Sequence, residues 1–255
     1  MIQHTFQFLD GIGPGKEARI KAQGIGHWDD FLAVESIDGV QDGKKPYFDR
    51  KVKEAKQHLH SGNTSFFSQV LPKQEHWRLY NHFKEDAVFL DIETTGLSWR
   101  DEVTVVGLYD GINTKMMIKG INLDYTLLKK ELQRYKMMIS FNGITFDVPF
   151  LNKQFPGVVP SIPHFDLRFG CKKIGYSGGL KAIEPHFGIK RRDLVHDLHG
   201  GDAVLLWKMY RATGDEHYLN LLIEYNEEDI INLKKIADTV YKKLAAGKEQ
   251  KENNC

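Results

Sequence analysis

The chain reads as α/β: a mixed β-sheet flanked by helices, with a small all-helical unit ahead of it. Three observations predict this. Apolar runs of strand length crowd together near residues 87–93, 103–109 and 114–119. Two more, near 137–141 and 164–169, are separated by a helical stretch, so strands come first and then alternate with helices. That order sets helices against a mixed sheet. From about residue 180 onward the pattern is helical, and it ends in an apolar stripe of Leu219, Leu222, Ile223, Ile230, Leu233, Ala237, Val240 and Leu244. A length of 255 residues allows one full core plus an appendage.

Taken in order, residues 1–40 form the helical hairpin unit, and Asp42-Gly43-Lys44-Lys45-Pro46 punctuates its boundary. Residues 41–84 lead into the core: a basic helix over Lys51–His60, a break at Ser61-Gly62-Asn63, then Phe66 to Phe83. The main domain spans 85–246. Its strands are expected at Ala87–Glu93, Val103–Tyr109 and Thr114–Lys119, the last two joined by the hairpin signal Asp110-Gly111. A helix over Tyr125–Arg134, a strand at Met137–Phe141, a helix from Val148 and a short strand at His164–Phe169 follow. Helices over Leu180–Phe187, Asp202–Thr213 and Glu216–Ala246 complete it, and residues 247–255 read as a polar, disordered tail.

Composition narrows the setting. Two cysteines, Cys171 and Cys255, make no disulfide framework and suit a reducing compartment. Met1 to Asp10 lacks a signal-peptide pattern, and no apolar run approaches the roughly 20 residues of a membrane span, so a soluble cytoplasmic protein is expected. A net charge of +1 argues neither for nor against nucleic acid. Local basic clusters exist: Lys44, Lys45, Arg50, Lys51, Lys53 and Lys56, then Lys190, Arg191 and Arg192. A solvated helix face or phosphate contacts account for the first; phosphate contacts suit both.

The densest chemistry is in Asp91-Ile92-Glu93-Thr94-Thr95-Gly96-Leu97. Residues two apart on a strand share a face, so Asp91 and Glu93 aim two carboxylates in one direction from the end of a core strand. Like charges that close need a cation between them, and all-oxygen ligands suit Mg²⁺ or Mn²⁺. More carboxylates should then follow. Asp147 appears in Ser140-Phe141-Asn142-Gly143-Ile144-Thr145-Phe146-Asp147, and Asp229 in Tyr225-Asn226-Glu227-Glu228-Asp229, four residues after Tyr225 and on its helix face. Singly, each has a structural reading: a strand end, an N-cap at Asp147 ahead of Pro149, a core tyrosine, a solvated acidic face. Jointly they point to one metal site.

These three motifs, Asp-x-Glu-Thr-Thr-Gly-Leu, Asn-Gly-x-x-Phe-Asp and Tyr-x-x-x-Asp, resemble those of the DEDD 3′→5′ exonuclease superfamily. The Tyr four before the last Asp places the chain with the DEDDy branch; the position five before it, His in the DEDDh branch, is Glu224 here. From about Phe66 to Leu244 the chain is similar to the YprB-type ribonuclease H-like family, through Leu71-Pro72, Trp77-Arg78-Leu79-Tyr80, Gly178-Gly179-Leu180-Lys181 and Tyr225-Asn226-Glu227-Glu228-Asp229. The resemblance implies a ribonuclease H-like fold and phosphodiester hydrolysis with two Mg²⁺ or Mn²⁺ ions roughly 3.5–4 Å apart. It also implies that Asp91 bridges both ions, that Glu93 and Asp229 complete the nucleophile-side site, and that Asp147 holds the second ion partly through water. Tyr225 would orient the attacking water. Leu97, Asn142 and Phe146 would contact the terminal nucleotides of a single strand or 3′ end, with DNA favoured slightly over RNA. A non-catalytic nucleic-acid-binding module and a structure-specific endonuclease are the alternatives.

Near the amino end, Phe8 to Ile20 with Gly24 to Leu32 resembles a helix-hairpin-helix motif. Gly11 and Gly13 would form its tight turn, whose backbone N–H groups suit a phosphate oxygen, with Lys16 adding charge. A helix hairpin used for packing is the other reading. A P-loop is excluded, because Asp10 and Glu17 stand where it needs Gly and Ser or Thr. Asp193, His196, Asp197 and His199 are read as a surface loop, Asp166 as a cap outside the catalytic set, and Trp77 and Trp207 as core anchors. Trp99 either borders a substrate groove or packs.

Overall fold

The computed structural model describes residues 1–192 and 200–253; Asp193, His196, Asp197 and His199 lie outside them. Five strands, β1 (Ala87–Thr94), β2 (Val103–Tyr109), β3 (Thr114–Ile118), β4 (Met137–Ser140) and β5 (His164–Asp166), form one sheet in the order β3-β2-β1-β4-β5. The hairpin pairs β1·β2 and β2·β3 are antiparallel, whereas β1·β4 and β4·β5 are parallel. The sheet is therefore mixed, with β1 at its centre. Asp110 and positive-φ Gly111 make the β2–β3 turn where the dipeptide signalled it.

The helices are α1 (Pro14–Lys21), α2 (Trp28–Ala33), α3 (Lys45–His60), α4 (Thr64–Val70), α5 (Tyr80–Phe83), α6 (Tyr125–Leu132), α7 (Asp147–Gln154), α8 (Leu167–Lys173), α9 (Leu180–Ile183), α10 (Gly200–Thr213) and α11 (Glu216–Asn253). Alternation along β1 sorts the core. Val88, Leu90 and Ile92 enter a cluster with Leu128 and Leu132 of α6 and Leu151 of α7. Ala87 and Phe89 face the other way, onto Leu233, Ile236 and Val240 of α11. Asp91 and Glu93 continue that second row, so the strand delivers both carboxylates to α11.

Several boundaries differ from those the sequence suggests, each for a local reason. Pro46 sits in the first turn of α3, where its missing N–H costs nothing, so the helix starts at Lys45 rather than Lys51. The run His164–Phe169 is strand only to Asp166, whose side chain accepts the Arg168 N–H and starts α8. Pro185 cannot continue the i→i−4 ladder, and Leu180–Phe187 divides into α9 and a 3₁₀ turn. Helix α11 runs on through Asn253 rather than ending near Ala246.

The amino-terminal unit packs into the nearby core. One apolar cluster runs from Ile2, Phe6, Trp28 and Phe31 through Phe48 and Leu79 to Phe165 and Val240. Buried Arg78 locks the junction: its Nε donates to Glu75 Oε2 at 2.6 Å, and its Nη2 stands 3.5 Å from Glu17 of α1. Glu17 also accepts from Thr5 Oγ1, the Phe6 N–H and Gln7 Nε2. Two glycine turns flank α1. Gly11 and Gly13 precede it and follow a 3₁₀ turn, whereas Gly24-Ile25-Gly26 joins α1 to α2. Gly11, Gly13 and Lys16 are exposed. In the first basic cluster, Lys45 is buried on Asp49, Lys51 pairs with Glu54 and Lys56 with Asp29.

Candidate metal centre

The centre forms where β1 meets α11. Oxygens of Asp91, Glu93 and Asp229 lie within 4.8 Å of one another. Glu93 and Asp229 are buried and Asp91 is partly so. Asp147, at the start of α7, adjoins this set. Its Oδ1 accepts the Ile92 N–H at 3.1 Å, from the backbone between the two β1 carboxylates. It does not cap α7; Phe146 is the N-cap residue and makes no side-chain cap bond.

One residue that the sequence reasoning passed over organises the cluster. Asn226 Nδ2 donates to Asp91 Oδ2 at 2.8 Å and to Glu93 Oε1 at 3.4 Å. Asn226 precedes Asp229 by three and so shares its helix face, which is the signal that could have found it. It fits because Gly107 pairs with Asp91 across β1–β2. A Cβ at Gly107 would lie 2.0 Å from Asn226 Oδ1. We therefore expect Gly107→Ala to push the Asn226 amide off the carboxylates, with an overpacking cost of about 1–3 kcal/mol and weaker binding of a divalent cation. Chemical denaturation alongside titration with Mn²⁺ checks this; unchanged values for both would remove Asn226 from the carboxylates' support.

Arg191 is the second residue not foreseen as part of the site. Sequence placed it in a surface cluster with its neighbours. It is instead buried, with Nε and Nη2 on Glu184 at 2.7 and 2.8 Å and Nη2 also on Asp229 Oδ1. Arg192 turns to the helix instead, its N–H on Glu228 Oε1 at 2.8 Å. Glu228 and Asp229 are buried, which excludes a solvated acidic face for them.

Electrostatics match the geometry. Burial first, then the charges of Asp147, Asp229 and Glu93, hold the Asp91 carboxyl well above the usual range. Burial followed by Asp229 does the same to Glu93, against the Asn226 hydrogen bond. Burial raises Asp147 to about 7 and Asp229 to about 6, the latter opposed by Arg191. The Tyr225 hydroxyl is pushed up by burial and then by Asp229, so it stays protonated at neutral pH. Oxygen-only donors, crowded and short of positive charge, fit a hard divalent cation.

The neighbouring loop is held just as firmly. Asn142 has a φ of 69°, a conformation that Asn tolerates better than most residues. Asp166 fixes it by accepting the N–H groups of Asn142 at 2.8 Å and Ile144 at 3.0 Å. Asn142 Oδ1 accepts from Arg168 Nη1 and Thr145 Oγ1, both at 2.7 Å. Ser140 Oγ bonds His164 Nε2 at 2.7 Å. Phe146 is half-buried against Phe150. Leu97 and Trp99 are 82% and 68% exposed, and Lys153 Nζ stands 5.2 Å from the Trp99 ring centre. Trp77 and Trp207 are buried, as core anchors should be.

A family model described as the RNase_H superfamily matches residues 88–241. No curated protein matches the chain. Among solved structures, the family B DNA polymerase from the hyperthermophilic archaeon Pyrobaculum calidifontis is similar at 15% identity and a TM-score of 0.48. That match covers 60% of this chain and 24% of the polymerase, so the chain spans about a quarter of that protein. A structure described as the apo form of the nuclease is similar at 19% identity and a TM-score of 0.48, covering 72% of this chain and 83% of that one. Among the described residues, no helix is long and apolar enough to cross a membrane.

Proposed function

Because the chain belongs to the RNase_H superfamily, we propose that its carboxylate centre hydrolyses phosphodiester bonds of nucleic acid, removing nucleotides from 3′ ends as a DEDDy-type exonuclease. The observation that carries the reading is the convergence of Asp91, Glu93 and Asp229 oxygens within 4.8 Å. Asp91, Glu93 and Asp229 would hold Mg²⁺ or Mn²⁺, with Asp147 serving a second ion. Such ions, when bound, activate water and neutralise the departing oxygen.

The chain's own residues then have separate tasks. Asn226 fixes the Asp91 and Glu93 carboxylates. Tyr225, protonated, orients the attacking water by its hydroxyl and is no base. Water attacks phosphorus in line, the bond to the neighbouring 3′ oxygen breaks, and that oxygen leaves with a proton. The products are a 5′-mononucleotide and a strand one residue shorter. Exposed Leu97, with the loop of Asn142 and Phe146, contacts the terminal nucleotides, and Trp99 borders the same groove. The exposed turn at Gly11 and Gly13 with Lys16 adds a backbone-phosphate contact, which positions a strand without reading bases.

The test is cleavage of matched single-stranded DNA and RNA oligonucleotides, labelled at the 5′ end, with Mg²⁺, Mn²⁺ or EDTA. A metal-dependent ladder shortening from the 3′ end is expected, with DNA cut somewhat faster than RNA. Cutting of circular single strands would make the enzyme an endonuclease. Binding without cleavage under every condition would make the centre non-catalytic.

A further inference from the structure

Beside Tyr225 lies a cavity of about 580 Å³ lined by Lys181, Glu184, Pro185, Ile189, Lys190 and Arg191, among others. It adjoins the carboxylate centre directly, because Arg191 both lines it and donates to Asp229. Lys181 Nζ stands 5.2 Å from the Tyr225 ring centre and the Arg191 guanidinium carbon 5.6 Å from it, so two cations meet over the tyrosine.

Three cations in this lining oppose one carboxylate, Glu184, and Arg191 already engages both oxygens of that carboxylate. Arg191 is not exhausted by these bonds. Its Nη1 is buried and has no hydrogen-bond partner, a costly condition for a donor. The Arg191 guanidinium lends the cavity wall fixed positive charge, and the Lys181 and Lys190 ammonium groups in the same lining suit phosphate oxygens.

We infer that this cavity is a backbone-phosphate subsite, which seats the phosphate next to the scissile one when a strand is drawn onto the Asp91, Glu93 and Asp229 cluster. The inference rests on the nuclease reading above. It separates the basic run 190–192 by role: Arg191 and Lys190 serve the subsite, while Arg192 is spent on Glu227 and Glu228.

The test uses Lys181→Ala/Lys190→Ala, which leaves every hydrogen bond of Arg191 in place. Affinity for a fluorescent single-stranded oligonucleotide is measured against salt in EDTA. In Mg²⁺, kcat/KM is compared on an oligonucleotide and on thymidine 5′-(4-nitrophenyl) phosphate, which has a single phosphodiester. The log–log salt slope should become about 1.4 shallower, two contacts at about 0.7 each, and the oligonucleotide-to-ester ratio should fall about tenfold through KM. Wild-type slope and ratio in the variant would overturn the subsite. Should the wild type cleave neither substrate, the nuclease reading fails by itself; the slope then still decides the subsite, a shallower one supporting it and an unchanged one rejecting it.

Discussion

Asp91→Asn should abolish metal-dependent cleavage while the protein keeps its fold and, in EDTA, melts above the wild type. The two effects have one cause. Asp91 belongs to a set of three carboxylates with oxygens inside 4.8 Å, and Asp147 adds a fourth negative group beside it. That concentration of charge is useful only to a cation, and without one it opposes folding. The amide is the same size and keeps an oxygen that can accept from Asn226 Nδ2, so the packing survives. It cannot offer the anionic oxygen that a hard divalent cation demands. Relief of repulsion in the metal-free protein should raise the melting temperature by about 2–4 °C for each kcal/mol recovered. Asp229→Asn should lose activity as well, but without the gain in stability, because Asp229 also answers the buried Arg191 guanidinium. Calorimetry in EDTA and the cleavage ladder in Mg²⁺ are the measurements. Full activity in either purified variant would remove the metal assignment. A lower melting temperature for Asp91→Asn would mean that the carboxylate is held for structure.

What the sequence revealed of this site follows from periodicity. Asp91 and Glu93 were legible because a period of two puts them on one face of a strand whose apolar neighbours mark it as buried. Tyr225 and Asp229 were legible because a spacing of four on a helix does the same. The mixed sheet was legible from the order of its elements, and four of the five strand spans agree to within a residue. Arg191 was not. It lies in an irregular stretch after a 3₁₀ turn, where no period assigns a direction to a side chain, and its basic neighbours suggested a surface. Asn226 was hidden differently: an amide among acids looks like filler until Gly107 on the opposing strand shows that the sheet was left open for it. Asp166 was given a capping role and has one, but its second task, holding the Asn142 loop, depends on β5 lying beside β4. Helix α3 begins six residues before Lys51 because Pro46, a stop signal inside a helix, is a start signal in its first turn.

Without divalent cation, stability should fall as the pH rises from about 4 through about 7, and Mg²⁺ or Mn²⁺ should cancel that fall. The sign follows from linkage. Asp229 titrates at about 6 and Asp147 at about 7 in the folded protein, and Asp91 and Glu93 are also held well above the usual carboxylate range. Between the ordinary value near 4 and these raised values, the folded chain retains protons that the unfolded chain has released. Raising the pH then favours the unfolded chain, by about 1.4 kcal/mol for each unit by which a group is raised. Most proteins behave in the opposite way over this range, since paired carboxylates gain stability as they ionise, so the slope is diagnostic. A cation reverses it by binding the ionised cluster, and contributes about 2.7 kcal/mol at a concentration 100 times its dissociation constant. Melting temperatures at about pH 5, 6, 7 and 8, in EDTA and in Mg²⁺, make the comparison, with Asp91→Asn as the internal control. Its slope in EDTA should be shallower than the wild type's, because one group has been taken out of the linkage. A flat profile in EDTA, or an equal slope with cation present, would mean that Arg191 alone neutralises the cluster and that the centre has no need of a metal.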